Sequence, residues 1–439
     1  MPEPRTLLLR EDDPLHVVVG ARRGGYFVTR DGGATWSWMC EAGVGYDDEE
    51  VYPGALLRGG TLVVSTGFGG VATSMDGCGF VPWLPNEAPF VADVRALPTG
   101  PGVVALEARS VGEAFVNQLW HSADGFNWRE LGLPLPVEEP ATSFAISNEG
   151  ALFVGISGAN GAALLRSADS GETWEQSLLT SELGVSPRVV GAYGAAEQAR
   201  VFLVADAAQA EGISTGGDRA LLSTDGGRTF STLLQAEGDL SSWALSSDGE
   251  RLAVGGHADG IFVLRGARTV AAGATMTKAW DHSVHALAWS ADGRLYAAGH
   301  EVVDGFSVGV SEDDGRSFQS VFALCQVQGP LACADDTSVG AQCSSSGETG
   351  WDVRKEVADP AACAPAPEPS AEPGKSQSPN PQEGALEPAG GATATPRSEA
   401  SCGLAPAAAK GGLTVWLLAA MLALVGRRQR DARRVEIRT

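Results

Sequence analysis

The stretch SADSGETW at residues 167–174 decides how the chain is read, because it recurs. The same phrase appears as TRDGGATW at 29–36, STDGGRTF at 223–230 and SEDDGRSF at 311–318. Two weaker copies are SMDGCGFV at 74–81 and the shortened SADGFNW at 122–128. Each full copy has Ser or Thr two residues before an Asp, Gly two residues after it, then Thr or Ser and an aromatic. The Asp carboxylate suits a tight turn, since it accepts hydrogen bonds from the turn's own backbone N–H groups. The Gly supplies a positive φ that a Cβ resists. The aromatic then opens an outer strand and buries its ring. This is stabilising chemistry repeated wherever a hairpin closes, and nothing in it is catalytic.

The Asp positions are Asp31, Asp76, Asp124, Asp169, Asp225 and Asp313, spaced 45, 48, 45, 56 and 88 residues apart. The last gap is twice 44, which places one degenerate copy near residue 269, where GIFVLRGARTVAAG keeps the strand and turn but has lost the Asp and the aromatic. Around each copy lie four short β-type segments. In the fourth unit these are TSFAIS, ALFVGIS, AALLRS and TWEQSL; in the seventh, VHALAWS, RLYAAGH, FSVGVSE and SFQSVFA. Four strands about every 45 residues predict an all-β chain, a seven-bladed β-propeller of four-stranded blades over residues 1–324.

The phrase resembles the Asp-box, or BNR, repeat of sialidases, sortilin-type receptors, xyloglucanases and photosystem-assembly propellers, over roughly residues 5 to 324. The resemblance implies the fold strongly and function weakly, because that superfamily spans hydrolases, receptors and chaperones. A sialidase would need an Arg triad, an early Arg-Ile-Pro motif and a Tyr nucleophile supported by Glu. No Arg-Ile-Pro occurs, and the five Tyr at 26, 46, 52, 193 and 296 show no acidic partner pattern. A xyloglucanase-like enzyme would need two propellers.

The formal charge is −23; the last 13 residues carry six Arg against Asp431 and Glu436, so everything before them sums to −27. Nucleic acid is excluded as a partner, since phosphate neutralisation needs clustered Lys and Arg. The acidic body reads as a solvated extracellular surface.

Residues 325–363 form a disulfide-rich extension expected to pack on the last blade. Cys325, Cys333, Cys343 and Cys363 crowd into it, while Cys40 and Cys78 lie in the first two units. That density suits an oxidising compartment, and no CxxC and no His in the segment point to zinc. Loop length favours Cys325–Cys333 and Cys343–Cys363, which leaves Cys40–Cys78 by elimination. Residues 364–401 hold eight Pro and one large aliphatic, Leu386, and read as a disordered stalk.

In the C-terminal segment 402–439, the uncharged run 411–426 predicts a short transmembrane helix, about 24 Å long. The Arg-rich end then stays cytoplasmic and the propeller lies outside. Cys402, the apolar run and the Arg cluster together resemble the Myxo-CTERM class of sorting signals, which implies that Cys402 is the processing site. MPEPRTLLLRED has no basic region followed by an apolar one, so the expectation is that the true start lies upstream and carries the leader.

In a propeller the Asp-containing turns occupy one face, and the blade connections and second-to-third-strand loops occupy the other. That second face is expected to hold Tyr46, Asp48, Glu49 and Tyr52 between blades one and two. It also takes His257 and His300 in matching loops of blades six and seven, with Asp281 and His282 between them. A ligand or metal site built from His257, His282, His300 and nearby acids is one reading. Solvated loop histidines on an acidic rim are the plainer one, because the spacing matches no metal motif. No metal and no cofactor are therefore expected. His282 and His285 do not share a strand face, since an offset of three is odd in a period of two.

The leading functional expectation is a monomeric, exported, non-catalytic binding or scaffolding propeller, held at the cell surface and recognising a surface glycan or protein. A glycoside hydrolase with an acid pair is the first alternative. An assembly or chaperone-like propeller is the second.

Overall fold

The computed structural model describes residues 2–351, apart from 47–49, 87–88, 113, 159–160, 181–182, 184, 208, 211–212, 215 and 345–349. Among the described residues, seven blades of four antiparallel strands each follow one another in strict chain order, the first extended by a fifth, parallel strand. Blade one comprises Glu3–Leu9, Val17–Arg22, Gly25–Thr29 and Trp36–Met39. The others begin and end with Gly54–Leu56 and Val81–Trp83, Val91–Ala96 and Trp128–Glu130, Ala141–Ile146 and Glu175–Leu178, Val185–Tyr193 and Ser231–Gln235, Leu240–Leu245 and Thr277–Trp280, and Ala286–Trp289 and Gln319–Phe322. The 88-residue gap is filled by blade six, whose third-to-fourth-strand turn has Gly266 in the left-handed region and no Asp.

Burial explains the composition of each strand. Second strands such as VVVGAR in blade one and RVFLVAD in blade five are buried along most of their length, because neighbouring blades cover both faces. That is why they read as continuous apolar runs rather than alternating ones. Fourth strands form the rim, and EQSL of blade four is mostly exposed.

The Asp-centred turns share one hydrogen-bond pattern. Asp31 Oδ1 accepts from the Thr29 hydroxyl at 2.7 Å and the Thr35 N–H at 2.9 Å, while Oδ2 accepts from the Thr35 hydroxyl at 2.5 Å. The Thr29 hydroxyl in turn accepts from Gly33 N–H at 3.0 Å. Asp169, Asp225 and Asp313 repeat this geometry. In the shortened copy Asn127 replaces the hydroxyl, donating its amide to Asp124 Oδ2 at 2.7 Å. Trp36 is fully buried, and Trp128, Trp174, Phe230 and Phe318 are half-buried.

The ring closes without sharing a strand between the first and last blades. Side chains bridge the seam: Trp36 Nε1 donates to the Val321 carbonyl at 3.2 Å, and its ring lies 4.4 Å from that of Phe322. The segment after blade seven then crosses to the rim of blade one, where Val327–Pro330 pairs in parallel with Trp36–Met39. A helix, Ser338–Cys343, follows, with the Thr337 hydroxyl capping its first turn. It packs on the short helix Glu41–Val44 through Gly43, where a Cβ would come within 2.7 Å of Cys343 Sγ.

Two disulfides fasten this clasp, and they correct the expected pairings. Cys40 joins Cys343 and Cys78 joins Cys333. Cys40–Cys78, Cys325–Cys333 and Cys343–Cys363 therefore do not form. Short loops were the wrong guide, because the extension does not stay on the last blade. Its backbone pairing carries Cys333 and Cys343 across the seam to blades one and two. Cys363, Cys402, the stalk and the expected 411–426 helix lie outside the described residues; no helix among the described residues is long and apolar enough to cross a membrane.

Candidate functional site

The first strands of the blades surround a central cavity of about 480 Å3. Its polar lining includes Arg5, Asp93, Arg95 and His285. Asp93 is committed to structure: its carboxylate accepts from Arg95 Nε at 2.9 Å, from the Val94 N–H at 2.9 Å and from the Phe144 N–H at 3.2 Å. Arg95 is equally engaged, reaching past blade four to the carbonyls of Val189 and Val190 in blade five at 2.8 and 2.9 Å.

One end of the cavity opens on the face of the blade connections. There the seam brings together Glu3 and Arg5 of the first strand, His257 from the second-to-third-strand turn of blade six, and His285 at the start of blade seven. Arg5 Nη2 donates to Glu3 Oε1 at 2.9 Å, and Nη1 lies 3.2 Å from His257 Nε2. His257 Nδ1 is 3.1 Å from the Ser283 hydroxyl. His285 is buried, with Nδ1 3.2 Å from Glu3 Oε1, yet that atom has no well-aligned hydrogen bond. The two imidazoles meet edge to face at 4.5 Å. Burial pushes the His285 imidazole down to about 4, with His257 adding and Glu3 opposing. Burial also works against the Glu3 charge, but Arg5, His285 and His257 together outweigh it and the carboxyl lies below its ordinary value.

Of the residues the sequence pointed to, His257 alone enters this cluster. His282 and His300 form a separate group around Asp304, whose Oδ1 lies 2.5 Å from His282 Nδ1 and whose Oδ2 accepts the His300 N–H at 2.7 Å. The His282 ring also rests on Trp280 at 4.8 Å. Asp281 is exposed and pairs with Lys278 at 2.7 Å. Tyr46 is buried, edge-on to Tyr26 and Tyr52 at 6.3 and 5.8 Å. It therefore belongs to the core beneath the connection between blades one and two. Tyr52 is half-buried and covers Gly67, while Asp48 and Glu49 lie outside the described residues. Sequence reasoning missed Glu3, Arg5 and His285. The signal available was their position at the starts of first strands, where a ring whose ends meet must juxtapose its first and last blades.

The same face exposes apolar side chains. Val302 and Val303, on the short helix Glu301–Asp304, are 73% and 67% exposed. Phe68, on the corresponding loop of blade two, and Val111, the last residue of the second strand of blade three, are also exposed.

No family model and no curated protein matches the chain. Among solved structures it is similar to hydrazine synthase of Kuenenia stuttgartiensis, at 11% identity and a TM-score of 0.51, over 72% of this chain and 97% of that one. An ancestral GH74 enzyme is similar at 14% identity and a TM-score of 0.48, over 68% of this chain and 46% of that one. YCF48 from Cyanidioschyzon merolae is similar at 15% identity and a TM-score of 0.42, over 68% and 94%. At these identities the likeness concerns the fold alone.

Proposed function

We propose that the chain is an exported Asp-box propeller, held at the cell surface by its C-terminal segment, that binds an extracellular glycan or protein on the blade-connection face without transforming it. The observation that carries this reading is the make-up of that face. Val302, Val303, Phe68 and Val111 are exposed on the same face that carries Glu3, Arg5 and His257, a mixture of apolar contact and orienting charge typical of binding surfaces. The carboxylate that lines the cavity below, Asp93, is saturated by Arg95 and two backbone N–H groups, so it supports the scaffold rather than acid–base chemistry. The two disulfides fit an oxidising compartment, in agreement with export.

The test is binding of the purified chain to surface polysaccharide and to envelope proteins from its own source. Val302→Asp/Val303→Asp is expected to abolish that binding and leave the unfolding temperature unchanged. Retained binding in the variant would remove this face from the proposal. Release of reducing sugar from the polysaccharide would replace the binding reading with the hydrolase one.

A further inference from the structure

We propose that Glu3, His257 and His285 form a divalent transition-metal site at the seam between blades six, seven and one. The donor atoms of these three side chains all lie within 4.8 Å of one another. A tetrahedral ion with bonds of about 2.1 Å holds its donors about 3.4 Å apart. His285 Nδ1 and Glu3 Oε1, at 3.2 Å, already meet that spacing, so the remaining adjustment is one that Glu3 and the exposed His257 can make. Two imidazoles and one carboxylate are a donor set that zinc accepts with an open position for water or ligand.

Two further observations point to an ion rather than a plain polar patch. His285 is 6% exposed, and its Nδ1, aimed at Glu3, has no hydrogen-bond partner among the described residues. A buried ring nitrogen left so is costly, and a metal would satisfy it. His257, for its part, is oriented by the Ser283 hydroxyl. With Nδ1–H donated to that oxygen, its lone pair lies on Nε2, the atom turned towards the cluster. Such an outer hydrogen bond is what fixes the tautomer of a ligating histidine.

Arg5 is what this site must contend with. Its guanidinium contacts Glu3 Oε1 and His257 Nε2, two of the three donors, and so holds a positive charge where the ion would lie. Metal and Arg5 therefore compete: binding requires the guanidinium to swing aside, and removing it should tighten binding. A merely structural polar network makes the opposite forecast, since loss of Arg5 would only loosen it. The site spans the first and last blades, so an ion there ties the ring's two ends. The inference is independent of which ligand the surrounding face recognises.

The experiment is zinc titration of the chelator-stripped full-length chain, followed by calorimetry, with Co2+ as the spectroscopic probe. The expected result is one zinc per chain and Co2+ bands of a four-coordinate nitrogen–oxygen site. Glu3→Gln and His257→Gln, both at accessible positions, should each weaken binding by more than the roughly tenfold that loss of a supporting group costs a metal site. Arg5→Met should strengthen it, and His282→Gln should leave it unchanged. Should His285→Ala fail to fold, the Glu3 and His257 variants decide the matter alone. Absence of stoichiometric zinc, or affinity indifferent to Glu3→Gln and His257→Gln, overturns the site. Weaker zinc binding in Arg5→Met overturns the competition on which it rests.

Discussion

Removing the clasp disulfides one at a time and then together tests how the ring is held shut. Cys40–Cys343 spans 303 residues and Cys78–Cys333 spans 255. In the chain-entropy description a crosslink of that length restrains the denatured chain by about 5–6 kcal/mol. The two are not independent, because they join the same pair of segments. Once one is closed, the other closes a loop of only about 50 residues, running from Cys40 to Cys78 and from Cys333 to Cys343, worth about 4 kcal/mol. Cys40→Ser/Cys343→Ser and Cys78→Ser/Cys333→Ser should therefore each lose about 4 kcal/mol, since the surviving bridge still holds the long loop. The variant lacking both should lose about 10 kcal/mol, more than the two single losses together. Equilibrium guanidinium unfolding followed by tryptophan fluorescence measures this. If either single-bridge variant falls within about 1 kcal/mol of the parent, that bridge does not restrain the chain as argued. If the combined loss merely equals the two single losses, the shared-loop reasoning is wrong.

Three further outcomes follow from local geometry. Gly43→Ala should destabilise the clasp by about 1–3 kcal/mol, because the new Cβ meets Cys343 Sγ and the Val339 backbone, and urea unfolding reads the loss. Hydroxyl donors hold three turn carboxyls at about 2: Thr35 on Asp31, Thr173 on Asp169 and Ser317 on Asp313. At Asp225 burial opposes the shift, but Thr229 still brings the carboxyl to about 2. These groups ionise more readily folded than unfolded, so their stabilisation is complete above about pH 4 and is lost as pH falls towards 2; Asp169→Asn should flatten that acid limb. Asp218 behaves oppositely, since burial pushes it up to about 6 against the pull of Arg188. Its folded form binds a proton more tightly than the unfolded chain, so its own contribution falls as pH rises from about 4 to 6, while the buried His16 and His285 act oppositely. The urea midpoint of the parent minus that of Asp218→Asn should therefore fall across that window, and a difference that stays flat would refute the assignment.

The blades were legible in the sequence because each is a local object. Four strands and a turn occupy about 45 consecutive residues, and in most blades the turn's Asp, Gly and hydroxyl satisfy its backbone, as the contacts of Asp169 show. Even the degenerate sixth unit could be placed, since its strands had to fill one period. What was not legible is whatever depends on the chain's two ends meeting. Loop length argued for Cys325–Cys333, whereas the parallel pairing of Val327–Pro330 with Trp36–Met39 sends Cys333 to Cys78. The same blindness hid the seam cluster: His257 was noticed for its loop, but Glu3 and His285 are 282 residues apart and carry no motif. Tyr46 failed as a surface residue for a different reason. Its neighbours are charged, yet its own ring is taken up by Tyr26 and Tyr52.

The seam that closes the ring and the cluster proposed to bind metal are the same place, which yields a last prediction. Blades one and seven share no strand, so the first strand Glu3–Leu9 is held to Ala286–Trp289 by packing and by the Glu3–His285 contact rather than by backbone hydrogen bonds. Among the described residues no other pair of neighbouring blades shares a strand either, but only at this junction do the chain's two ends meet, so parting it is a local opening that costs less than unfolding throughout. An ion bound to Glu3, His257 and His285 must be released when the seam parts, so it opposes that opening by mass action. At zinc one hundred times its dissociation constant the factor is about 100, or about 2.7 kcal/mol. Amide hydrogen exchange with and without zinc measures it directly. Protection should rise by up to that factor in Glu3–Leu9 and Ala286–Trp289, and remain unchanged in Ala141–Ile146 of blade four, on the far side of the ring. Glu3→Gln should erase the difference. Slowing that is uniform around the ring would mean that the blades open only together, and that closure at the seam is no weaker than the contacts between any other pair.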